Sequence, residues 1–122
     1  MKLAIIGSRM INIPLEKYIP NGVTEIVTGG AKGVDTCARV FAMKNKIPLK
    51  EFLPEYNLYG KNAPLVRNKK IAEYSDEAIA LWDGKSKGTL HSINCFKKLN
   101  KKITIYIIDQ SSATCCSISS IL

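Results

Sequence analysis

The sequence predicts an α/β fold, a single doubly wound parallel sheet of about five strands with helices on both faces. Three observations indicate it: short apolar runs alternate with helix patterns, several runs end in glycine-containing loops, and two runs are apolar throughout. Strands that are apolar on both faces are typical of the interior of a parallel sheet. We therefore place strands 1 and 4 centrally, which with right-handed crossovers gives the order 3-2-1-4-5.

The first half of the chain contains three predicted strands and one clear helix. Residues 2–6 form strand 1, residues 11–19 can carry a short helix, and residues 25–28 form strand 2. Residues 48–53 alternate in polarity, which suits strand 3 at a sheet edge. The helix between strands 2 and 3 is predicted by one apolar stripe at i, i+3, i+4, i+7 and i+8, formed by Val34, Cys37, Ala38, Phe41 and Ala42.

The second half continues the alternation. Residues 54–62 are predicted to be a loop, and Pro64 suits the first turn of a helix that runs to about Tyr74. Residues 78–82 form strand 4, and residues 103–108 form strand 5. The helix between them is expected to turn Leu90, Ile93, Phe96 and Leu99 inward. We assign residues 1–108 to one domain, and the serine-rich residues 109–122 to a loose tail or an added edge strand.

Composition excludes several classes of protein. A chain of 122 residues that is 46% hydrophobic and 23% charged fits one soluble globular domain. No apolar run approaches the roughly 20 residues of a membrane span, and the N-terminal run is too short for a secretory signal. We therefore expect a cytoplasmic protein without membrane contact. No metal is expected, because metal-ligand spacing is absent among Cys37, Cys95, Cys115 and Cys116, of which the first two are expected to be buried.

A glycine-rich loop at residues 28–36 suggests a phosphate site. Gly29, Gly30 and Gly33 allow the backbone to approach a ligand closely, and the helix that follows points its free N–H groups toward the loop. Lys32 adds a positive charge. A glycine turn without any ligand explains the same residues equally well, since an isolated glycine motif is a weak signal.

Two other loops are expected at the same place. Under the predicted strand order, ligands bind beyond the carboxyl ends of strands 1 and 4, where residues 7–9 and 83–89 meet the glycine loop. This convergence predicts a nucleotide or phosphate site built from backbone N–H groups, hydroxyls and a bidentate arginine. The candidate binding residues are Gly7, Ser8, Arg9, Gly29, Gly30, Ala31, Lys32, Gly33, Asp35, Arg67, Asn68, Asp83, Gly84, Ser86, Gly88 and Thr89.

Several of these side chains have ordinary structural alternatives. Arg67 can be a surface helix arginine, and Asn68 can cap a loop rather than orient a ligand. Asp35 can bind ribose or stabilise a helix start. Asp83 can serve acid–base chemistry or ribose binding, or simply form a turn. His91 fits an exposed helix position better than a functional one.

Four motifs, in order across residues 2–108, resemble the SLOG superfamily, and most closely its branch of YspA/YpsA-related domains from bacteria and mobile elements. The motifs are residues 4–9, residues 27–35, residues 59–64 with Arg67-Asn68, and residues 82–89. The resemblance implies a Rossmann-like domain that binds nucleotides or nucleotide-derived ligands. It also implies a homodimer paired through helices.

The resemblance to the LOG phosphoribohydrolases within this superfamily is incomplete. Their signature is Pro-Gly-Gly-x-Gly-Thr-x-x-Glu; Gly88-Thr89 match its Gly-Thr, and Arg67 can match an upstream catalytic arginine. The glutamate position is Ser92, and the Pro-Gly-Gly portion is also replaced.

We favour a module that binds a nucleotide-type ligand without turning it over. One alternative is a nucleotide N-glycosidic-bond hydrolase in which Asp83 or Asp35 replaces the glutamate, with Arg67 as its catalytic partner. A single-stranded nucleic-acid-binding domain is the other, supported by the +8 charge and by the resemblance to the DNA-processing protein A. It is less favoured, because aromatic residues do not alternate with basic ones as stacking platforms.

Overall fold

The computed structural model describes residues 1–108 and the backbone of Ser120–Ile121. It confirms the predicted α/β class, with a Rossmann-like fold and a parallel sheet in the order β3-β2-β1-β4-β5. The strands are β1 (Lys2–Gly7), β2 (Glu25–Thr28), β3 (Leu49–Glu51), β4 (Glu77–Trp82), β5 (Ile103–Ile107) and β6 (Ser120–Ile121). The helices are α1 (Val34–Lys44), α2 (Tyr56–Tyr59), α3 (Ala63–Tyr74) and α4 (Lys87–Lys98).

Alternate residues of the central strands pack into two separate hydrophobic cores, one on each face of the sheet. In β1, Leu3 and Ile5 pack with α1 on one face of the sheet, whereas Ala4 and Ile6 pack with α3 and α4 on the other. This follows from the two-residue period of a strand, and it explains why β1 and β4 are apolar throughout. The sheet is therefore covered on both faces, as predicted.

The separation of β2 from β1 positions the site. The ladder between β1 and β2 ends at the pair Ala4↔Val27, whereas the ladder between β1 and β4 continues to Gly7↔Leu81. The chain after β2 thus leaves the sheet before β1 has ended. β6 pairs antiparallel with β5, which adds a short strand at the sheet edge within the serine-rich stretch. Residues 109–119, including the Cys115-Cys116 pair, lie outside the described residues.

Two local predictions were wrong. In the segment 11–19 only Glu16–Tyr18 is helical, as a single 3-10 turn. Pro14 restrains the preceding residue to extended conformations, so a helix cannot run through it. The segment 54–62 was predicted to be a loop, but it contains α2 and a second 3-10 turn at Gly60–Asn62. Its helical turns are short and bury no side chain, so they leave no periodic pattern in the sequence.

The prediction of which residues of α4 face inward was only half correct. Ile93 and Phe96 are buried, but Leu90 and Leu99 are 40% and 43% exposed. Thr89 and Ser92 take the buried positions instead, together with Ile93 and Phe96. Cys37 and Cys95, expected to be buried, are half-buried. In the part of the chain that the structure describes, no helix has the length and apolarity needed to cross a membrane.

Candidate functional site

A cleft of 350 Å³ lies at the carboxyl ends of the strands, at the point where the strand order reverses. The loops after β1, β2 and β4 all reach it, which confirms their predicted convergence. Ser8 and Ser86, from the first and last of these loops, place their hydroxyl oxygens 3.0 Å apart. The lining residues are Ile6, Gly7, Ser8, Arg9, Met10, Gly29, Ala31, Asp35, Pro64, Leu65, Arg67, Asn68, Ile71, Ser86, Gly88, Thr89 and Ser92.

Close backbone packing holds the loop after β1 against α1. A Cβ atom at Gly7 would collide with the Leu81 carbonyl oxygen and the Val34 side chain. The Val34 N–H donates a 3.3 Å hydrogen bond to the Ser8 carbonyl oxygen. Glycine at position 7 therefore serves the packing of the strand end, and the first N–H of α1 is occupied by protein.

Two N–H groups of the glycine-rich loop, those of Gly30 and Ala31, already have acceptors within the protein. The Gly30 N–H donates to Oγ1 of Thr28 at 3.3 Å, and the Ala31 N–H donates to Oδ2 of Asp35 at 3.1 Å. Asp35 is 9% exposed. Its carboxylate lies where the sequence predicted a ligand phosphate.

Burial makes the Asp35 carboxyl group a weaker acid than an exposed aspartate. Desolvation raises the pKa of Asp35 above its ordinary value. The hydrogen bond from Ala31, the positive charge of Arg67 and the N–H of Gly29 act in the opposite direction but do not cancel the effect of burial. Asp35 is thus a buried acid that lines the cleft, a combination found at functional sites.

Arg67 crosses from α3 to the glycine-rich loop. Its Nη1 donates a 2.8 Å hydrogen bond to the Gly29 carbonyl oxygen, and its Nε donates a 2.9 Å bond to Oδ1 of Asn68. Burial lowers the pKa of the guanidinium; the Asp35 carboxylate and Tyr56 oppose this, and Arg9 adds to it. Arg67 is therefore a half-buried cation directed into the cleft, not a surface helix arginine.

Asn68 contacts both Arg67 and His91. Asn68 is buried, and its Nδ2 lies 3.2 Å from Nδ1 of His91. His91 is half-buried between α3 and α4 rather than exposed. The sequence predicted an exposed position for His91, and only the contact across the two helices reveals its packing against Asn68.

Asp83 forms the turn that leads into α4. Its Oδ1 accepts hydrogen bonds of 2.8 Å from the N–H groups of Lys85 and Ser86, and its Oδ2 accepts a 3.1 Å bond from the Ser86 hydroxyl. Partial burial alone would raise the pKa of Asp83, but these hydrogen bonds hold it below the ordinary value. The indole Nε1 of Trp82 donates to the Ser86 carbonyl oxygen at 3.1 Å, which fixes the same turn.

The N-terminus of α4 opens into the cleft. Ser86 occupies the N-cap position, and its side chain makes no capping hydrogen bond to the helix. Gly88 and Thr89, in the first turn, line the cleft, and N–H groups in a first turn have no acceptor within their own helix. The positive end of the helix dipole adds to their attraction for an anion.

The structure thus divides the predicted site residues into two groups. Those that line the cleft are Gly7, Ser8, Arg9, Gly29, Ala31, Asp35, Arg67, Asn68, Ser86, Gly88 and Thr89. Gly30 and Lys32 border a neighbouring recess, and Gly33, Asp83 and Gly84 do not line the cleft. The sequence missed Ile6, Met10, Pro64, Leu65 and Ile71, most of which are apolar residues without a motif. Ser92 does line the cleft, and it is the position at which the LOG resemblance places a glutamate.

Among the described residues, no group of three or more His, Cys, Asp or Glu side chains is placed to hold a metal ion. Comparisons with protein-family models, curated proteins and solved structures found no match to this chain.

Proposed function

We propose that the cleft binds a nucleotide-type ligand and holds its phosphate between Arg67 and the first turn of α4. One observation carries this proposal: a half-buried guanidinium and an open helix N-terminus line the same cleft at the switch point of the sheet. Arginine and helix N–H groups are both strong ligands for phosphate oxygens. The hydroxyl of Thr89, which also lines the cleft, adds a further donor.

The phosphate belongs at α4 rather than at the glycine-rich loop. The Ala31 N–H is already bonded to the Asp35 carboxylate, and a second anion there would be repelled by the first whenever Asp35 is ionised. The glycine-rich loop instead places the Gly29 carbonyl oxygen as the acceptor that orients Arg67.

Apolar side chains at the cleft support a nucleotide rather than inorganic phosphate. Met10 and Leu65 line the cleft yet are 79% and 44% exposed. Small-molecule sites combine such apolar surfaces with a few polar anchors, and 350 Å³ lies within their usual range of roughly 300–1,000 Å³.

Hydrolysis of an N-glycosidic bond is a second candidate, favoured by the position of Asp35. This carboxyl group lines the cleft, and burial raises its pKa, as acid–base chemistry near neutral pH requires. Asp83, the other carboxylate considered, is engaged by three hydrogen bonds outside the cleft lining.

The test compares ribonucleosides with their 5′-monophosphates for all four bases, with thermal unfolding and base release as readouts. We expect at least one monophosphate to stabilise the protein while its nucleoside does not. Arg67→Met should abolish the difference, and Lys44→Met, which removes one charge from an exposed side chain of α1, should preserve it. Equal responses to nucleoside and monophosphate, or no response to any, would overturn the proposal. Base release that is lost in Asp35→Asn would establish hydrolysis.

A further inference from the structure

A second, strongly basic cavity adjoins the cleft. We call it the cationic recess; it has a volume of 420 Å³ and is lined by Arg9, Gly30, Ala31, Lys32, Thr36 and Arg39. Arg9 and Ala31 line both cavities, so the recess begins where the cleft ends. One ligand can therefore extend from one cavity into the other.

The recess carries an excess of positive charge. Three of its lining side chains are cationic, namely Arg9, Lys32 and Arg39, and one nearby carboxylate, Glu51, pairs with Arg39. Among the described residues, neither Arg9 nor Lys32 forms an ion pair within 4 Å. Asp35, whose carboxylate accepts a hydrogen bond from the Ala31 N–H, adds a second carboxylate at the boundary with the cleft. Three cations against two carboxylates still leave an excess of positive charge, which favours an anionic occupant.

Protein contacts fix the side chain of one of the three cations, Arg39, and the backbone of another, Arg9. Arg39 donates through Nε at 3.1 Å and through Nη2 at 2.9 Å to the same Oε2 of Glu51. The backbone of Arg9 is packed against Gly33, where a Cβ atom would collide with the Arg9 carbonyl group. The ion pair with Glu51 therefore holds the Arg39 guanidinium at the wall of the recess, whereas Arg9 is fixed only through its backbone.

The charges of the two cavities act on one another. Arg9 lowers the pKa of Arg67, which means that the two guanidinium groups repel each other across the boundary. An anion with several negative oxygens between them relieves this repulsion and gains hydrogen bonds from both sides.

We propose that the cationic recess binds a second phosphoryl group of the ligand, so that the ligand class is a nucleoside diphosphate or another pyrophosphate-containing nucleotide rather than a monophosphate. This inference rests on the proposed function, because it assumes a first phosphate at α4. Arg9 lies between the two phosphoryl groups, while Lys32 and Arg39 contact only the outer one.

The test measures binding of matched nucleoside 5′-monophosphates and 5′-diphosphates by calorimetry, with chelator present and at low salt. For the base that binds, we expect the diphosphate to bind about tenfold more tightly, as one additional set of charge-assisted hydrogen bonds predicts. Lys32→Met should weaken the diphosphate about fivefold and leave the monophosphate within about twofold, because Lys32 is an exposed cation.

Further variants keep the test decisive. Lys32→Met combined with Arg39→Gln should remove most of the preference for the diphosphate, whereas Lys44→Met should retain it. Since Arg39 is paired with Glu51, thermal unfolding checks that the double variant is folded. If the double variant does not fold, the single variant Lys32→Met decides the test.

The outcomes separate the two proposals. Equal binding of monophosphate and diphosphate, or equal weakening of both by Lys32→Met, overturns the proposal that the cationic recess binds a second phosphoryl group. It leaves the proposed function intact. Binding of neither overturns both. Tighter binding of single-stranded oligonucleotides than of any mononucleotide, with steep salt dependence, overturns both in favour of a nucleic-acid interface.

Discussion

The guanidinium of Arg67 occupies the space that a side chain at Gly29 would need. Its Nη1 donates to the Gly29 carbonyl oxygen at 2.8 Å, and a Cβ atom on Gly29 would collide with the same nitrogen. This glycine is therefore required by an arginine 38 residues away in sequence, not by the approach of a phosphate. The relationship connects β2 to α3 and fixes the cation of the cleft.

Gly29→Ala should impair ligand binding far more than folding. The colliding atoms belong to the far end of a flexible side chain, so Arg67 can move away at little cost in stability. Once displaced, the guanidinium no longer contributes a charge-assisted hydrogen bond, and we expect affinity for the tightest-binding nucleotide to fall roughly 10- to 100-fold. Calorimetry and thermal unfolding measure the two effects separately. A variant that loses stability but binds normally would contradict the assignment of Arg67.

Gly33→Ala should show the opposite behaviour. Gly33 has φ +72° and ψ −122°, and a Cβ atom there would collide with the backbone of Ser8 and Arg9, which cannot yield as a side chain can. We expect a loss of roughly 3 kcal/mol or more in the free energy of unfolding, measured by urea denaturation. Gly84→Ala is the control, since its φ is +80° but its Cβ would contact nothing within 4 Å. It should cost only about 1–2 kcal/mol, the backbone strain alone.

Asp35→Asn should stabilise the protein at neutral pH. Burial holds the folded-state pKa of Asp35 above its unfolded value, so its ionisation opposes folding. This loss of stability is absent at a pH below the pKa of Asp35 in the unfolded protein. It develops as pH rises through the pKa of Asp35 in the folded protein. Melting temperatures of the variant and the parent should therefore nearly coincide at the acidic end, near pH 3.5, and diverge in favour of asparagine toward pH 7. A less stable variant at pH 7 would show that the attraction of Arg67 outweighs burial.

Asp83→Ala should destabilise the start of α4. It removes the acceptor of two backbone N–H groups, which at a helix start costs roughly 0.5–2 kcal/mol. The folded-state pKa of Asp83 lies below its ordinary value, so its contribution is present above the unfolded pKa and is lost as pH falls through the folded one. The difference in melting temperature between variant and parent should accordingly shrink in acid.

Asp83→Asn provides the matched control for that prediction. The amide oxygen can still accept from Lys85 and Ser86, so most of the stability should remain. Because Asp83 does not line the cleft, nucleotide affinity and any base release should stay within about twofold of the parent. A large loss of either would restore Asp83 as a functional carboxylate.

The strand order was predictable because the composition of the central strands shows that both of their faces are buried. β1 and β4 are apolar at every interior position, and only a strand covered on both faces has that pattern. α1 was predictable for a similar reason, since its apolar stripe follows the helical period. α2 was not, because its four residues bury nothing and leave no period to detect.

The position of the site followed from the same information, whereas the roles of its residues did not. Once the strand order is known, the loops after β1, β2 and β4 must end near one another, and their glycine, serine and arginine residues indicate the kind of ligand. The burial of Thr89 and Ser92 at the cleft depends on how α4 packs against its neighbours, which the sequence of one helix does not contain.

Sequence by itself therefore determined the architecture and the place where the loops converge, because burial on each strand and parallel connectivity are local or nearly local properties. Only the tertiary structure decided which donors remain for a ligand. Asp35 and a phosphate compete for the same N–H group of Ala31, Asp83 is engaged by its own turn, and Arg67 reaches Gly29 across 38 residues. Such competition depends on distances between segments remote in sequence, and a linear pattern of residues does not contain those distances.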